Sequence, residues 1–218
     1  SVKEKGGTSY TYTVRAYNDK KLSDYDKKGK TLARLGTPSL AGVYNSKDGA
    51  LVKWKQVKGA DGYVVYRKSG KGDYEQIAKV KGGSTLSCTD KGVKEKNGAT
   101  FTYTVKAYKG KDYSAWNGGG KKILRLVNPE VTSCANWTGR KLNLKWKQNS
   151  AADGYEIQYS TSSKFSWNKS VKTGKISSQT LYNLTKNKRY YVRIRSFKKA
   201  GNTTYYSAWT TKNAVIKK

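Results

Sequence analysis

Residues 184–196 read LTKNKRYYVRIRS, and apolar and cationic side chains alternate through the second half of this stretch. The apolar residues take one face of an extended chain and Arg193 and Arg195 take the other, because successive strand residues face opposite sides of a sheet. The same period of two recurs in KLNLKWK at residues 141–147. Clusters of Gly, Asn, Asp and Ser separate these runs, and no long window keeps a helical period. We therefore predict an all-β fold.

Internal repeats organise the chain. The tetrapeptide TYTV at residues 11–14 recurs at residues 102–105, which is 91 positions later, and the same offset relates the two prolines, Pro38 and Pro129. Proline lacks a backbone donor and is tolerated at the first residue of a strand, so each proline is interpreted as the entry to a new domain. The predicted segments are a truncated repeat at residues 1–36, a complete middle repeat at residues 37–126 and a complete last repeat at residues 127–218.

Two aromatic patterns carry a family resemblance. Trp54 and Trp146 lie on matching early strands, and each is followed by a Gly-Tyr strand. Further along, Leu184 precedes Tyr190 by six residues. The pattern resembles the fibronectin type III domain, an immunoglobulin-like β-sandwich in which the hydroxyl of such a corner tyrosine bonds to upstream backbone. The middle repeat has Phe101 at the aligned position, and phenylalanine has no hydroxyl for that bond.

The repeated phrases Tyr-x-Val-(Lys or Arg)-Ala-Tyr and Ala-Asp-Gly-Tyr resemble in particular the tandem repeats of large surface proteins of Gram-positive gut bacteria of the Firmicutes type. This resemblance implies an extracellular or cell-surface location in a secreted or wall-attached protein. No stretch approaches the roughly 18 apolar residues of a membrane-spanning helix, so we expect no membrane insertion.

The first 36 residues match only the end of a repeat. They should form the last two strands of a sandwich, and two strands alone are marginal in water. We expect this hairpin to pair with another chain, to pack on the next domain or to be held by a piece outside the given sequence.

The charge balance is strongly basic. The chain of 218 residues has 45 Lys and Arg against 14 Asp and Glu, for a net charge of +31. Its 18 Tyr and 6 Trp are typical of a chain that buries a core rather than of a disordered one. Charge of this size should attract polyanions such as wall polymers or acidic glycans. No recognised nucleic-acid-binding motif accompanies it, which argues against nucleic acid as the target.

Catalysis has little support in the sequence. The chain has no histidine, the commonest general base and a frequent metal ligand, so we predict no enzyme activity, no metal site and no cofactor. Cys88 and Cys134 lie on non-equivalent strands and are interpreted as unbridged, buried thiols. Asp61 and Asp153 recur in Ala-Asp-Gly-Tyr and are interpreted as turn residues that bond their own backbone.

Two groups of aromatic residues are candidates for specific roles. Ser-Ala-Trp at residues 114–116 and 207–209 is similar to the WSXWS box of cytokine receptors, and this similarity implies a structural cation–π ladder of Trp and basic side chains. The second group consists of exposed-looking aromatics that could stack on sugars or anchor a protein, or could simply cover loops. The ladder residues are Trp116, Lys106, Trp209, Arg193 and Arg195, and the candidate binding surface is Trp137, Phe165, Trp167, Tyr205 and Tyr206.

The sequence thus favours a non-catalytic spacer and adhesion module of a bacterial surface protein, with an anionic cell-wall polymer or a host mucin glycan as its partner. Two alternatives stay open. The module could bind a specific host protein, for example an immunoglobulin, or it could be an accessory to an enzyme encoded upstream.

Overall fold

The structure is a computed structural model that describes residues 8–217, apart from the side chain of Ala33. Its regular structure is almost entirely extended, and the one helical element in this range is a 3-10 turn at Lys91–Val93. Within the same range no helix has the length and apolar character needed to cross a membrane. The prediction of an all-β fold is confirmed.

The N-terminal segment consists of short antiparallel pairs. Its strands are β1 (Thr8–Tyr12), β2 (Tyr17–Asn18), β3 (Lys21–Leu22) and β4 (Lys30–Arg34). β1 pairs with β4, and β2 pairs with β3. The backbone amide of Ala16 donates to the hydroxyl of Ser23 at 2.9 Å and helps to close the hairpin. Apolar side chains of this segment stay exposed, among them Val14 at 88% and Tyr17 at 81%.

The middle repeat forms two sheets. Its strands are β5 (Leu40–Ser46), β6 (Gly49–Trp54), β7 (Gly62–Ser69), β8 (Glu75–Lys81), β9 (Ser87–Asp90), β10 (Thr100–Lys109), β11 (Asp112–Tyr113) and β12 (Lys121–Leu124). One sheet has the order β5-β6-β9, and the other has the order β11-β10-β7-β8 with β12 also paired to β10.

The last repeat has the same topology. Its strands are β13 (Val131–Trp137), β14 (Lys141–Trp146), β15 (Gly154–Ser160), β16 (Lys169–Thr173), β17 (Ser178–Leu181), β18 (Arg189–Ala200), β19 (Thr203–Tyr206) and β20 (Thr210–Val215). One sheet has the order β13-β14-β17, and the other has the order β16-β15-β18-β19 with β20 paired to β18. Two packed antiparallel sheets with this strand order form a fibronectin-like sandwich.

An aromatic pair occupies the centre of each core. Trp54 lies 5.2 Å from Tyr63 between ring centroids, and Trp146 lies 5.1 Å from Tyr155. Both tyrosines are fully buried, and each hydroxyl accepts a hydrogen bond from the amide six residues earlier, at 3.0 and 2.6 Å. A buried tyrosine needs such a partner because an unpaired hydroxyl is costly away from water. The alternating apolar residues of β14, β15 and β18 supply the rest of the last core.

The tyrosine corner implied by the resemblance is confirmed in the last repeat. The amide of Thr185 donates to the hydroxyl of Tyr190 at 3.1 Å. Phe101, at the aligned position of the middle repeat, is buried at 6% exposure.

The described chain separates into two compact units. The first contains the described residues up to Val43 together with Val52–Cys88 and Thr102–Lys122. The second contains Tyr44–Leu51, Thr89–Phe101 and the described residues from Ile123 onward. The whole of the last repeat thus belongs to the second unit. The boundaries at residues 36 and 126 stay a prediction.

Candidate binding surface

The two arginines of β18 lie among aromatic rings. The guanidinium carbon of Arg193 is 4.3 Å from the ring centre of Phe165 and 4.5 Å from that of Trp209. The guanidinium carbon of Arg195 is 4.4 Å from Trp209 and 3.8 Å from Tyr206. Period-two alternation places both arginines on the same face of the strand, so one indole contacts both cations. Five side chains from three segments form this arginine ladder.

The edges of the same guanidinium groups bind the neighbouring strand. Nε of Arg195 donates to the carboxylate of Glu156 at 2.9 Å, and Nη2 donates to it at 2.7 Å. Nε and Nη2 of Arg193 donate to the side-chain oxygen of Gln158 at 2.9 and 2.5 Å. Burial and the adjacent Arg195 charge lower the pKa of Arg193, and Glu156 partly opposes this shift. The donors and rings of the ladder are thus engaged within the sheet, and this favours a structural role.

The middle repeat has a lysine at the corresponding place. Nζ of Lys106 lies 4.5 Å from the ring centre of Trp116, and the ring of Tyr66 meets the same indole nearly perpendicularly, with centroids 5.3 Å apart. Tyr74 packs on Trp116 at 5.2 Å, and Nζ of Lys68 lies 5.0 Å from the Tyr74 ring. A lysine offers a compact charge without the planar, fork-shaped donor edge of arginine, so this cluster is built from rings rather than from bidentate hydrogen bonds.

The candidate binding residues differ in exposure. Trp167 is 99% exposed and Trp137 is 50% exposed. Tyr205 and Tyr206 are half-buried on β19. The expectation that Phe165 is exposed is wrong, because the ring packs on Arg193 and only 8% of the residue is accessible.

Strand register places Trp137 and Trp167 at the same end of the last sandwich. Trp137 ends β13 and pairs with Lys141, which begins β14. The start of β14 pairs with the end of β17, because Leu142 lies opposite Leu181. The start of β18 pairs with the end of β15 and with the end of β20. The loops that join β13 to β14, β15 to β16 and β17 to β18 therefore lie at the same end of the sandwich as the end of β20. We call this region the aromatic end. It comprises residues 137–141, 161–168, 182–188 and 215–217.

Left-handed backbone is concentrated at the aromatic end. Among the described residues, six non-glycine residues have positive φ, and five of them lie in these segments. Asparagine tolerates this conformation, but Arg140, Phe165 and Trp167 carry bulky side chains that rarely adopt it, at a cost of about 1–2 kcal/mol per residue. The surrounding structure must therefore hold the loops firmly. The five residues and their φ angles are Arg140 (58°), Phe165 (58°), Trp167 (54°), Asn183 (55°) and Asn187 (59°).

Hydrogen bonds hold the loop that carries Trp167. The Ser160 hydroxyl donates to the carbonyl of Ser166 at 2.9 Å, and the Asn168 amide donates to the carbonyl of Phe165 at 3.0 Å. The indole is thus presented to solvent by a loop whose two carbonyls just before it, those of Phe165 and Ser166, are held by hydrogen bonds.

The other two loops are fastened to each other. The amide of Leu184 donates to the carbonyl of Arg140 at 3.0 Å, and Nε of Arg140 donates back to the carbonyl of Leu184 at 2.7 Å. Nearby, Nζ of Lys141 lies 5.4 Å from the ring of Tyr182, which is 55% exposed. Sequence reasoning missed Tyr182, whose role depends on the pairing of distant strands.

The aromatic end is uniformly basic. Its four segments contain six Lys and Arg residues and no Asp or Glu. Three exposed aromatic side chains, Trp137, Trp167 and Tyr182, lie among them. An aromatic face beside a cation can bind a ligand that combines a ring with negative charge.

The repeated aspartates are structural, but their bonding differs from the prediction. The carboxylate of Asp153 accepts from the amide of Lys199 at 2.9 Å and from Nζ of Lys198 at 2.8 Å, and that of Asp61 accepts from the amide of Gly110 at 2.8 Å. Both therefore fasten a loop to a neighbouring hairpin instead of bonding their own turn. The hydrogen bonds from Lys198 and Lys199 lower the pKa of Asp153.

Neither cysteine forms a disulfide within the described residues, and both are half-buried rather than fully buried. Burial raises the pKa of Cys134 to about 11, and the charge of Lys212 opposes part of this shift. A thiol with a raised pKa is a poor nucleophile at neutral pH because the thiolate is the reactive form.

Comparison with known proteins bears on the last repeat. The family model of the fibronectin type III domain matches residues 128–213. No curated protein matches the chain.

Three solved chicken structures are similar to the chain at low identity. The FN1–FN3 domains of CNTN1 are 18% identical, with 98% of this chain and 79% of that chain covered and a TM-score of 0.42. A segment of two fibronectin type III domains from tenascin is 19% identical, with coverages of 83% and 100% and a TM-score of 0.39. The interferon gamma receptor alpha chain is 10% identical, with coverages of 84% and 98% and a TM-score of 0.42. By the family model alone, the last repeat is similar to a fibronectin type III domain over nearly all of its length.

Proposed function

We propose that the chain is a non-catalytic spacer and adhesion module of a secreted or wall-attached bacterial protein, and that its basic surface binds polyanionic wall polymers or mucin glycans. Fibronectin type III domains commonly serve as non-catalytic spacers or binding modules, which supports the first part.

The excess of positive charge supports the second part. Because 45 basic residues face only 14 acidic ones, most cations have no carboxylate to pair with in this chain. Exposed ion pairs such as the one between Lys147 and Glu130, at 2.8 Å, neutralise few of them. A surface charge of this kind raises the local concentration of polyanions and releases their counterions on binding.

Strand geometry distributes this charge. Along β14 the apolar side chains are buried while Lys145 is exposed, and along β6 Lys53 is exposed between buried Val52 and Trp54. The cations thus follow outward-facing positions of the sheets, so a long polymer can contact many of them at once. Many weak contacts add up to useful avidity.

Binding across a salt series tests the proposal. Immobilised wall teichoic acid and sialylated, sulfated mucin should retain the protein at low ionic strength, and added salt should progressively release it. Neutral dextran is the matched control and should not retain it. Failure of both acidic polymers to retain the protein at low salt would overturn the adhesive role.

A salt series also distinguishes polyanion binding from the alternative, which is binding to a specific host protein. Capture from mucosal secretions that persists unchanged at high salt would indicate a largely uncharged interface, because electrostatic attachment weakens as salt is added.

A further inference from the structure

We propose that the aromatic end of the last repeat is a binding site for an acidic saccharide, with Trp167 as the surface on which a sugar ring stacks. The choice of a glycan rests on the function proposed above, whereas the location of the site rests on the geometry of this end.

Trp167 is the primary anchor. Trp167 is 99% exposed, although burial of an indole is among the most favourable of any side chain. Most of its apolar area is therefore available to a ligand. Its backbone has a φ of 54°, an unfavourable conformation for a bulky residue. Strain of this kind persists only when neighbouring structure fixes it, and it is found most often at functional sites.

The loop around Trp167 is ordered before any ligand binds. The ring centre of Phe165 lies 4.3 Å from the guanidinium carbon of Arg193, and this contact attaches the loop to the arginine ladder. The bonds from Ser160 and Asn168 then fix the carbonyls of Ser166 and Phe165, the two residues before Trp167. Preorganisation lowers the entropic cost of binding, so a small ligand can be held by few contacts.

Trp137 and Tyr182 supply further ring faces at the same end. Trp137 is 50% exposed at the end of β13, and Tyr182 is 55% exposed just after β17. Lys141 begins β14 opposite Trp137 and also lies over the Tyr182 ring. A cation flanked by aromatic faces suits a sugar whose carboxylate or sulfate projects beside its ring.

The chemistry of the end favours a saccharide over other polyanions. Its exposed large apolar side chains are mainly Trp and Tyr, with Val215 at 37% exposure as the aliphatic exception, and aromatic faces with a polar edge suit stacking on sugar rings. Amide side chains at Asn168, Asn183 and Asn187 accompany the cations, and amides can both donate to and accept from sugar hydroxyls.

A titration with small ligands tests the site. Sialyllactose and sulfated lactosamine should quench or shift tryptophan fluorescence, and uncharged lactosamine should bind more weakly. Trp167→Ala should weaken binding of the acidic sugars about tenfold, the size expected for loss of a central aromatic contact. Tyr44→Ala is the matched control, because Tyr44 is an exposed aromatic of the middle repeat at 52% exposure. It should leave binding unchanged.

The outcomes are distinguishable. If the salt-sensitive retention on acidic polymers persists in every variant and no small acidic sugar binds, the proposed function stands and this site is wrong. If neither polymer nor sugar binds, both fail. Binding of phosphatidylserine vesicles or single-stranded oligodeoxynucleotides that exceeds sugar binding and is lost in Trp167→Ala would overturn the saccharide assignment.

Discussion

At the scale of single residues, Arg125 shows how a charge can be part of a core. It is fully buried, and its guanidinium donates to the carbonyls of Val93, Lys94 and Leu126 and to the side chain of Asn45, at 3.1, 2.8, 2.7 and 3.2 Å. A buried cation is tolerated only when its donors are satisfied. The side chain therefore ties several backbone segments of the second compact unit to one point.

Replacing Arg125 should be costly. Arg125→Met keeps much of the side-chain volume but leaves several buried oxygens without a donor, and we expect the free energy of unfolding to fall by about 3 kcal/mol. Denaturant unfolding followed by tryptophan fluorescence measures this change. Lys122→Met, at an exposed position nearby, is the control and should be nearly neutral. Equal effects of the two substitutions would contradict the structural role of Arg125.

Asp153 makes stability depend on acidity. Its pKa is lowered in the folded state by Lys198 and the Lys199 amide, so the ionised form is the one that stabilises the fold. This contribution is complete above the ordinary Asp pKa of about 4 and is lost as pH falls through the lower folded value. Asp153→Asn should lower the unfolding midpoint at pH 7, and its difference from the wild type should shrink toward pH 2.

Thermal unfolding at the two pH values measures this. Lys198→Met, which removes the main partner, should reproduce the pattern, while Lys172→Met on exposed β16 should not. A difference between Asp153→Asn and wild type that is the same at both pH values would show that the ionised carboxylate is not its origin.

At the scale of elements, the local sequence pattern was enough to predict the strands. It was not enough to predict which loop residues come together at the ends of the strands. The alternation around Ile194 identifies β18 because side-chain direction in a strand depends only on position along it. Tyr182 and Arg140 gave no comparable pattern, since their proximity follows from the pairing of strands far apart in sequence. Phe165 was wrongly expected to be exposed because its cover, Arg193, is 28 positions away.

The N-terminal hairpin exposes apolar side chains that a packed sandwich would bury. Tyr12 and Val14 are 47% and 88% exposed, whereas their counterparts 91 positions later, Tyr103 and Val105, are fully buried. The hairpin thus carries a core face of the same chemistry as β10. A front half-sandwich with the residue pattern of residues 37–91 should be able to cover this face.

An extension of the chain tests this expectation. Because the offset is 91 without a gap, a copy of residues 37–91 joined directly before Ser1 should complete a third sandwich in register. Amide hydrogen exchange at residues 8–34 should then slow markedly, as backbone in a packed core exchanges only on unfolding. A copy with Val65→Asp, at a fully buried position, should give no protection. Unchanged exchange with the intact copy would contradict the expectation.

At the scale of the whole molecule, two segments with the same core-forming pattern can compete for one set of partner strands. The hairpin at residues 8–35 and the segment at residues 99–126 share most of their core-forming residues. The front strands of the middle repeat therefore have two candidate closing hairpins during folding, and a compact state with the wrong one would have to reopen before the native state forms.

Val14→Asp should remove that competition. The residue is 88% exposed in the native structure, so a charge there costs little, but it would be buried in a mispaired state. We expect a slow phase in refolding, followed by tryptophan fluorescence, to lose amplitude in this variant. Lys20→Asp is the control, because its counterpart Lys111 is exposed. Identical refolding traces for wild type and Val14→Asp would exclude mispairing.

The order of synthesis makes this competition unequal. Residues 8–35 leave the ribosome before the front strands of the middle repeat, and the native closing segment at residues 92–126 is the last part of that repeat to emerge. At ordinary translation rates, the final 35 residues of the middle repeat take roughly 2–7 s to emerge. During that interval the earlier hairpin is already available to pair with the front strands of the middle repeat. A fixed 91-residue spacing, which makes the repeats interchangeable as building blocks, thus also makes their assembly sensitive to the speed of translation.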